Sequence, residues 1–162
     1  MALASTVIES PIGGLLLTAE DGTLTGLHTA PFCPVLPVES PIFGMNSEVL
    51  GAAAAQLGAY FGGRLTEFDL PLAPRGTPFQ QEVWAELLAI PYGSTTTYGE
   101  LAARLGRPRA SRAVGAANGR NPISIIVPCH RLVGHDGSLV KYGGGLEAKR
   151  YLLALEAQRV RG

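Results

Sequence analysis

Alternation of apolar and polar positions governs the start of the chain. Thr6-Val-Ile8 and Leu15-Leu-Leu-Thr18 flank Pro11-Ile-Gly-Gly14, which predicts two strands joined by a turn. Asp21-Gly22 marks a second turn, and 24–28 reads as a third strand. Prolines at 31, 34, 37 and 41 then make an irregular surface loop. Asn46 is placed to cap a helix running to about Phe61, where Gly62-Gly63 stops it, and 66–70 reads as one more short strand. The predicted unit is small and α/β.

Near 72–76 the pattern changes to a helical period. Thr77-Pro-Phe-Gln80 is a capping box with proline at the first helical position, followed by an apolar stripe of Phe79, Val83, Trp84, Leu87 and Leu88. That helix ends by Pro91-Tyr-Gly93. Thr97-Tyr-Gly-Glu100 is a second capping box, opening a short helix that closes at Gly106. A third helix over roughly 109–118 completes a helix-turn-helix, whose second helix is the one that meets DNA in such motifs. Its small side chains around Arg112 suit either close approach to a minor groove or tight packing on another helix. The apolar run 123–127 predicts a buried strand or extended segment that delivers Pro128-Cys-His-Arg131 to a turn.

Composition narrows the classes. With 162 residues, 46% hydrophobic, the chain is large enough for one medium domain or two small ones and too apolar to be disordered. No stretch of 18 apolar residues predicts a membrane span, and the first residues lack the basic segment of a signal peptide, meeting Glu9 and Pro11 early. Two cysteines and three histidines, without a CxxC pair, supply neither a disulfide framework nor a zinc site. The expected setting is soluble, reducing and cytoplasmic.

Net charge is zero, but its distribution is uneven. Residues 1–90 carry nine acids against Arg64 and Arg75, and 91–162 carry eleven bases against four acids. The stretch 101–135 holds six arginines and no acid. Such asymmetry fits a polyanion-binding half, or simply two halves that neutralise one another. Within the basic half, Cys129 lies beside His130 and Arg131, cations that favour a thiolate. Cys33 sits in the proline loop with no base nearby.

In order, Pro91-Tyr-Gly93, Thr97-Tyr-Gly-Glu-Leu-Ala102, Ser111-Arg-Ala-Val-Gly115, Asn121-Pro122, Ile126-Val-Pro-Cys-His-Arg131 and Lys141-Tyr-Gly-Gly-Gly-Leu146 closely resemble the O6-alkylguanine-DNA alkyltransferase family. The resemblance is strongest from Gly76 onward, and Ser10-Pro-Ile-Gly13 with Ala59-Tyr-Phe-Gly-Gly63 fits the family's N-terminal domain. It implies an α/β, ribonuclease-H-like domain at 1–75, a small sheet plus helix. A mostly α, winged-helix-like domain with the helix-turn-helix would follow at 76–162.

The implied activity is direct, single-use repair. An O6-alkylguanine, with O4-alkylthymine as a second substrate, would be flipped out of duplex DNA bound through its minor groove, and the alkyl group moved to Cys129. By resemblance His130 is the base, acting through a water and oriented by Glu156 on a last helix over about 146–158. Asn121 holds the turn bearing Cys129, and Tyr98 presses on the backbone phosphate and donates to the flipped base. Arg112 fills the space in the duplex, with Ser111, Ala113, Gly115, Thr95 and Arg131 as further DNA contacts. Leu132, Tyr142, Gly143 and Lys141 line the base pocket. No cofactor or metal is implied, since the zinc ligands of some relatives have no counterparts, and the partner is alkylated double-stranded DNA bound by a monomer. Lys141 stands where the family often has Gly or Asn. Two rivals remain at this level: a helix-turn-helix module without chemistry, and a thiol hydrolase built on Cys129 and His130.

Overall fold

The computed structural model describes residues 3–29, 48–137 and 145–161. The chain divides into two compact units, Met1–Pro74 and Arg75–Gly162. Asn46, Cys33 and the proline loop lie outside the described residues.

In the first unit, β1 (Leu3–Ile8), β2 (Leu15–Glu20) and β3 (Thr23–Thr29) form an antiparallel sheet in that order. Asp21 and Gly22 close the second hairpin with φ of 50° and 82°, the doubly left-handed turn that matches strand twist. The aspartate tolerates that region and the glycine enters it without steric cost. Helix α1 (Glu48–Phe61) packs on the sheet, and Leu15, Leu17, Leu24, Leu27, Leu50, Leu57 and Tyr60 are fully buried. The strand expected at 66–70 does not form. Gln56 claims that backbone instead, accepting from Asp69 N at 2.8 Å and donating to its carbonyl at 3.0 Å. Only Leu72 then pairs, with Leu24, between Pro71 and Pro74, which have no N–H to extend a ladder.

The second unit is mostly helical. Both capping boxes form at α2 (Pro78–Leu88) and α3 (Tyr98–Arg104), with each threonine accepting from the N3 amide and each N3 side chain returning to the cap. Val83, Trp84 and Leu87 face inward as the stripe predicts, while Leu88 is 51% exposed at the last turn. Gly106, at φ 74°, ends α3 and permits the tight turn into α4 (Ser111–Gly119). Helix α4 starts two residues later than expected because 107–110 are spent on that turn. Buried Trp84 donates its indole N–H to the Ala117 carbonyl at 2.9 Å, pinning α2 to α4.

The segment 123–127 is buried as expected but is not a strand. The Ile126 amide donates to the Ser124 carbonyl at 2.8 Å across Ile125, whose φ is 73°: a γ-turn of the rare, strained hand. The Cys129 amide then donates to the Val127 carbonyl at 2.7 Å across Pro128 (φ −80°, ψ 66°), a γ-turn of the common hand. Two opposite γ-turns thus fold an apolar run back on itself and feed a 3-10 turn at Cys129–Arg131. Beyond it, β5 (Leu132–Val133) pairs in parallel with β4 (Thr96–Thr97), and α5 (Leu146–Arg161) packs over the 3-10 turn.

Candidate active site

The β4–β5 ladder sets the register of the site. Thr96 opposes Leu132 and Thr97 opposes Val133 in parallel, so the turn bearing Cys129 leads into one end of a two-residue ladder and Tyr98, at the start of α3, follows its other end. Cys129 is 5% exposed and His130 is fully buried. The Cys129 carbonyl accepts from the Leu132 amide and, at 3.5 Å, from Nδ2 of Asn118.

Asn121 clamps this turn from below. Its Oδ1 accepts from the Ile123 amide at 3.0 Å and its Nδ2 donates to the Val127 carbonyl at 2.9 Å. One side chain therefore closes the strained loop across Ile125.

His130 and Arg131 both turn toward α5. Nε2 of His130 lies 2.7 Å from Oε2 of Glu156, while Arg131 Nε and Nη2 donate to Oε1 and Oε2 at 2.9 and 3.0 Å. The Gly93 amide adds a donor to Oε1 at 3.2 Å. Burial opposes ionisation of Glu156, yet the hydrogen bonds and charges of His130 and Arg131 outweigh it and hold the carboxyl at about 2. Burial pushes His130 below its ordinary value, against the pull of Glu156. A neutral ring facing a carboxylate must carry its proton on Nε2, which leaves Nδ1 as the basic nitrogen. That atom is buried without a hydrogen-bond partner.

Two polar residues here escaped the sequence reading. Lys149 is fully buried on α5 and donates to the Leu132 carbonyl at 2.7 Å. Burial lowers its pKa and the charge of Cys129 raises it again. Its spacing of seven from Glu156 put both on one helix face, and that was the available signal. Asn118, 5% exposed on α4, sits in a run of small residues that gave no signal. Tyr98 is half-buried, and its hydroxyl is raised in pKa by burial and then by Cys129.

The remaining residues named from sequence fall in different places. Arg112 and Ala113 are exposed on α4, Ser111 is partly exposed, and Thr95 is exposed just before β4. Gly115 lies under the Tyr98 ring, where an added Cβ would meet Cε1 at 3.5 Å. Leu132 is buried, with both its backbone groups engaged. Arg131 is not placed as a DNA contact: it is 7% exposed, and its guanidinium is committed to Glu156 and, at 2.7 Å, to the Ile90 carbonyl. Lys141, Tyr142 and Gly143 lie outside the described residues. Among the described residues, no group of three or more His, Cys, Asp or Glu is arranged to hold a metal, and no helix is long and apolar enough to cross a membrane.

Comparison with known proteins gives likenesses over both units of the chain. Residues 3–74 match the family model described as the ribonuclease-like domain of 6-O-methylguanine DNA methyltransferase, and 78–158 match the DNA binding domain of the same family. A methylated-DNA–protein-cysteine methyltransferase of Methanosarcina barkeri is 50% identical over 157 residues, covering 96% of this chain and 98% of that one. The crystal structure of the Mycobacterium tuberculosis O6-methylguanine methyltransferase superposes with a TM-score of 0.87 at 49% identity, covering 97% and 94% of the two chains. A structure described as Mycobacterium tuberculosis OGT in complex with DNA superposes at 0.86 with the same identity, covering 96% and 94%.

Proposed function

The chain belongs to the 6-O-methylguanine DNA methyltransferase family, and from that premise we propose that it repairs alkylated DNA by accepting the alkyl group on Cys129. The observation that carries the reading is the buried Cys129 turn, with His130 and Glu156 hydrogen-bonded behind it at 2.7 Å. The substrate is an O6-alkylguanine, with O4-alkylthymine as the second, extruded from duplex DNA whose minor groove meets α4.

The chemistry follows from the residues. The electrophile is a saturated carbon, so an in-line displacement by a soft nucleophile is required, and thiolate is the best a protein owns. The Cys129 proton passes through a bridging water to Nδ1 of His130, which Glu156 stabilises as it becomes charged. The sulfur then forms a bond to the alkyl carbon, the bond from carbon to O6 breaks, and its electron pair stays with the base. The Tyr98 hydroxyl donates to the developing base anion, and the proton taken from Cys129 returns from His130 through water to the base, so that guanine and His130 both end neutral. The product is a thioether that hydrolysis does not reverse, so each molecule acts once.

Asn121 keeps the sulfur in position, and Lys141, Tyr142 and Gly143 would wall the base pocket. Arg112 is exposed on α4 and long enough to enter the duplex, offsetting part of the few kcal/mol of lost stacking and pairing. Damaged pairs are easier to open, which gives selectivity without reading sequence. Affinity then comes largely from phosphate contacts by a monomer and falls with salt. The protein works where DNA is reached directly, in the cytoplasm.

The test is the intact mass of the protein after mixing with excess duplex containing one O6-methylguanine. A gain of one methyl, absent in Cys129→Ser, is the expected result. Tight binding without a mass gain would instead make the protein a damage sensor, and neither binding nor gain would favour the thiol hydrolase.

A further inference from the structure

Asn118 is a buried side chain beside the nucleophile's turn to which the mechanism gives no task. Asn118 is 5% exposed, and its Nδ2 lies 3.5 Å from the Cys129 carbonyl. Which end of the amide points there is settled by chemistry, because a carbonyl only accepts. Its other end, Oδ1, is buried without a hydrogen-bond partner. So is Nδ1 of His130, the next residue after Cys129. A buried polar atom with no partner is costly, and two unpartnered acceptors, one on the residue next to Cys129 and one on the side chain that holds its carbonyl, are what a single buried water would satisfy.

We propose that Asn118 is a positioning residue for the proton transfer, its Oδ1 sharing with Nδ1 of His130 the water that takes the Cys129 proton. The inference rests on the role given above to His130. A water accepting from the thiol and donating to Nδ1 has a second proton that needs an acceptor, and Oδ1 supplies it. With that proton held, the water cannot rotate away from the path between Sγ and Nδ1. The Nδ2 contact holds the Cys129 backbone to the same helix that carries Arg112, so one side chain fixes both water and acceptor turn.

The test compares Asn118→Leu, which removes both polar ends at similar volume, with Asn118→Asp, which keeps an acceptor but sets a negative charge near the thiolate. The readout is the rate of Cys129 alkylation by free O6-benzylguanine across pH, alongside affinity for unmodified duplex. Among the described residues, the titratable and charged groups around Cys129 include His130 and Arg131 on its own turn, Lys149 and Glu156 on α5, and Tyr98 on α3. All are unchanged in both variants.

Asn118→Leu is expected to slow alkylation about 10- to 100-fold, a part of the roughly 10²- to 10⁴-fold that a positioned proton transfer contributes. Its pH–rate limb moves to higher pH, with duplex affinity unchanged. Asn118→Asp shifts the limb the same way, and being isosteric it carries the test if the leucine variant does not fold. A pH profile superimposable on that of the unsubstituted protein in either folded variant overturns the proposal, however large the fall in rate. His130→Gln separates the two readings. If it moves the profile and the Asn118 variants do not, only the present inference fails. If His130→Gln leaves the profile in place, the base assignment fails and takes this one with it.

Discussion

Nε2 of His130 and Oε2 of Glu156 stand 2.7 Å apart with 0% and 1% of their side chains exposed. The same carboxylate also receives Arg131, so a buried anion is shared by one neutral ring and one permanent cation. Removing that anion leaves Arg131 buried against the Ile90 carbonyl with no counter-charge. Glu156→Gln should therefore cost about 3–5 kcal/mol, the range for breaking a buried ion pair from one side. The denaturant midpoint of unfolding measures it. Alkyl transfer should slow as well, because a glutamine can accept from Nε2 but cannot stabilise an imidazolium.

The same pair gives stability a pH dependence on the acid side. His130 is held below its ordinary 6.5, so as pH falls through that value the unfolded ring takes a proton that the native ring resists. Stability contributed by its neutral form is thus fully present above 6.5 and declines below it. Glu156 adds a second decline between its ordinary 4.5 and about 2, since its native carboxyl stays ionised. Melting temperatures taken from about pH 8 to about pH 4 should fall monotonically, and His130→Gln should lose the first limb. A melting temperature that rises on acidification from neutral pH would contradict the assignment of a neutral His130.

How much of this was legible beforehand depends on the kind of signal each residue carries. Thr77, Gln80, Thr97 and Glu100 announced two helix starts because a capping box is local chemistry, complete within four residues. The Asp21-Gly22 hairpin was visible for the same reason. The run 123–127 misled because apolar character reports burial, not backbone path, and nothing in the letters Ile-Ser-Ile-Ile-Val announces a left-handed isoleucine. The strand expected at 66–70 was lost to Gln56, a competitor ten or more residues away. Arg131 looked like a DNA contact by charge alone, and only its distances to Glu156 and Ile90 show it turned inward. Family resemblance supplied roles for Cys129, His130 and Asn121, but Asn118 became visible only when burial was known, and Lys149 had no signal beyond its seven-residue spacing from Glu156.

Ile125 makes the clamp by Asn121 more than an ordinary turn contact. A β-branched residue in the left-handed region costs about 1–2 kcal/mol, so the loop holds its shape only while something closes it. Asn121→Ala removes both closing hydrogen bonds and takes from the Ile123 amide, in a fully buried residue, the acceptor Oδ1, while the Val127 carbonyl keeps only the Cys129 amide. A loss of about 1–3 kcal/mol is expected from the buried amide left without its acceptor. Transfer to Cys129 should slow further than stability alone explains. Asn121→Asp, which keeps the bond to the Ile123 amide, should fall between the two. Equal rates in all three proteins would show that the turn holds Cys129 without Asn121.

Arg112 is exposed on α4, clear of the buried groups around Cys129, so its removal should separate extrusion of the base from alkyl transfer. If it fills the duplex in place of the lesion, its loss raises the cost of extrusion by part of the few kcal/mol of stacking and pairing. At about tenfold per 1.4 kcal/mol, Arg112→Ala should slow repair of an O6-methylguanine duplex about 10- to 100-fold. The free base needs no extrusion, so its reaction with Cys129 should be unchanged. The loss should also shrink when the lesion sits opposite a mismatch or in a single strand, where less stacking is broken. Equal slowing on duplex, single strand and free base would place Arg112 in the fold or the chemistry and remove it from the duplex.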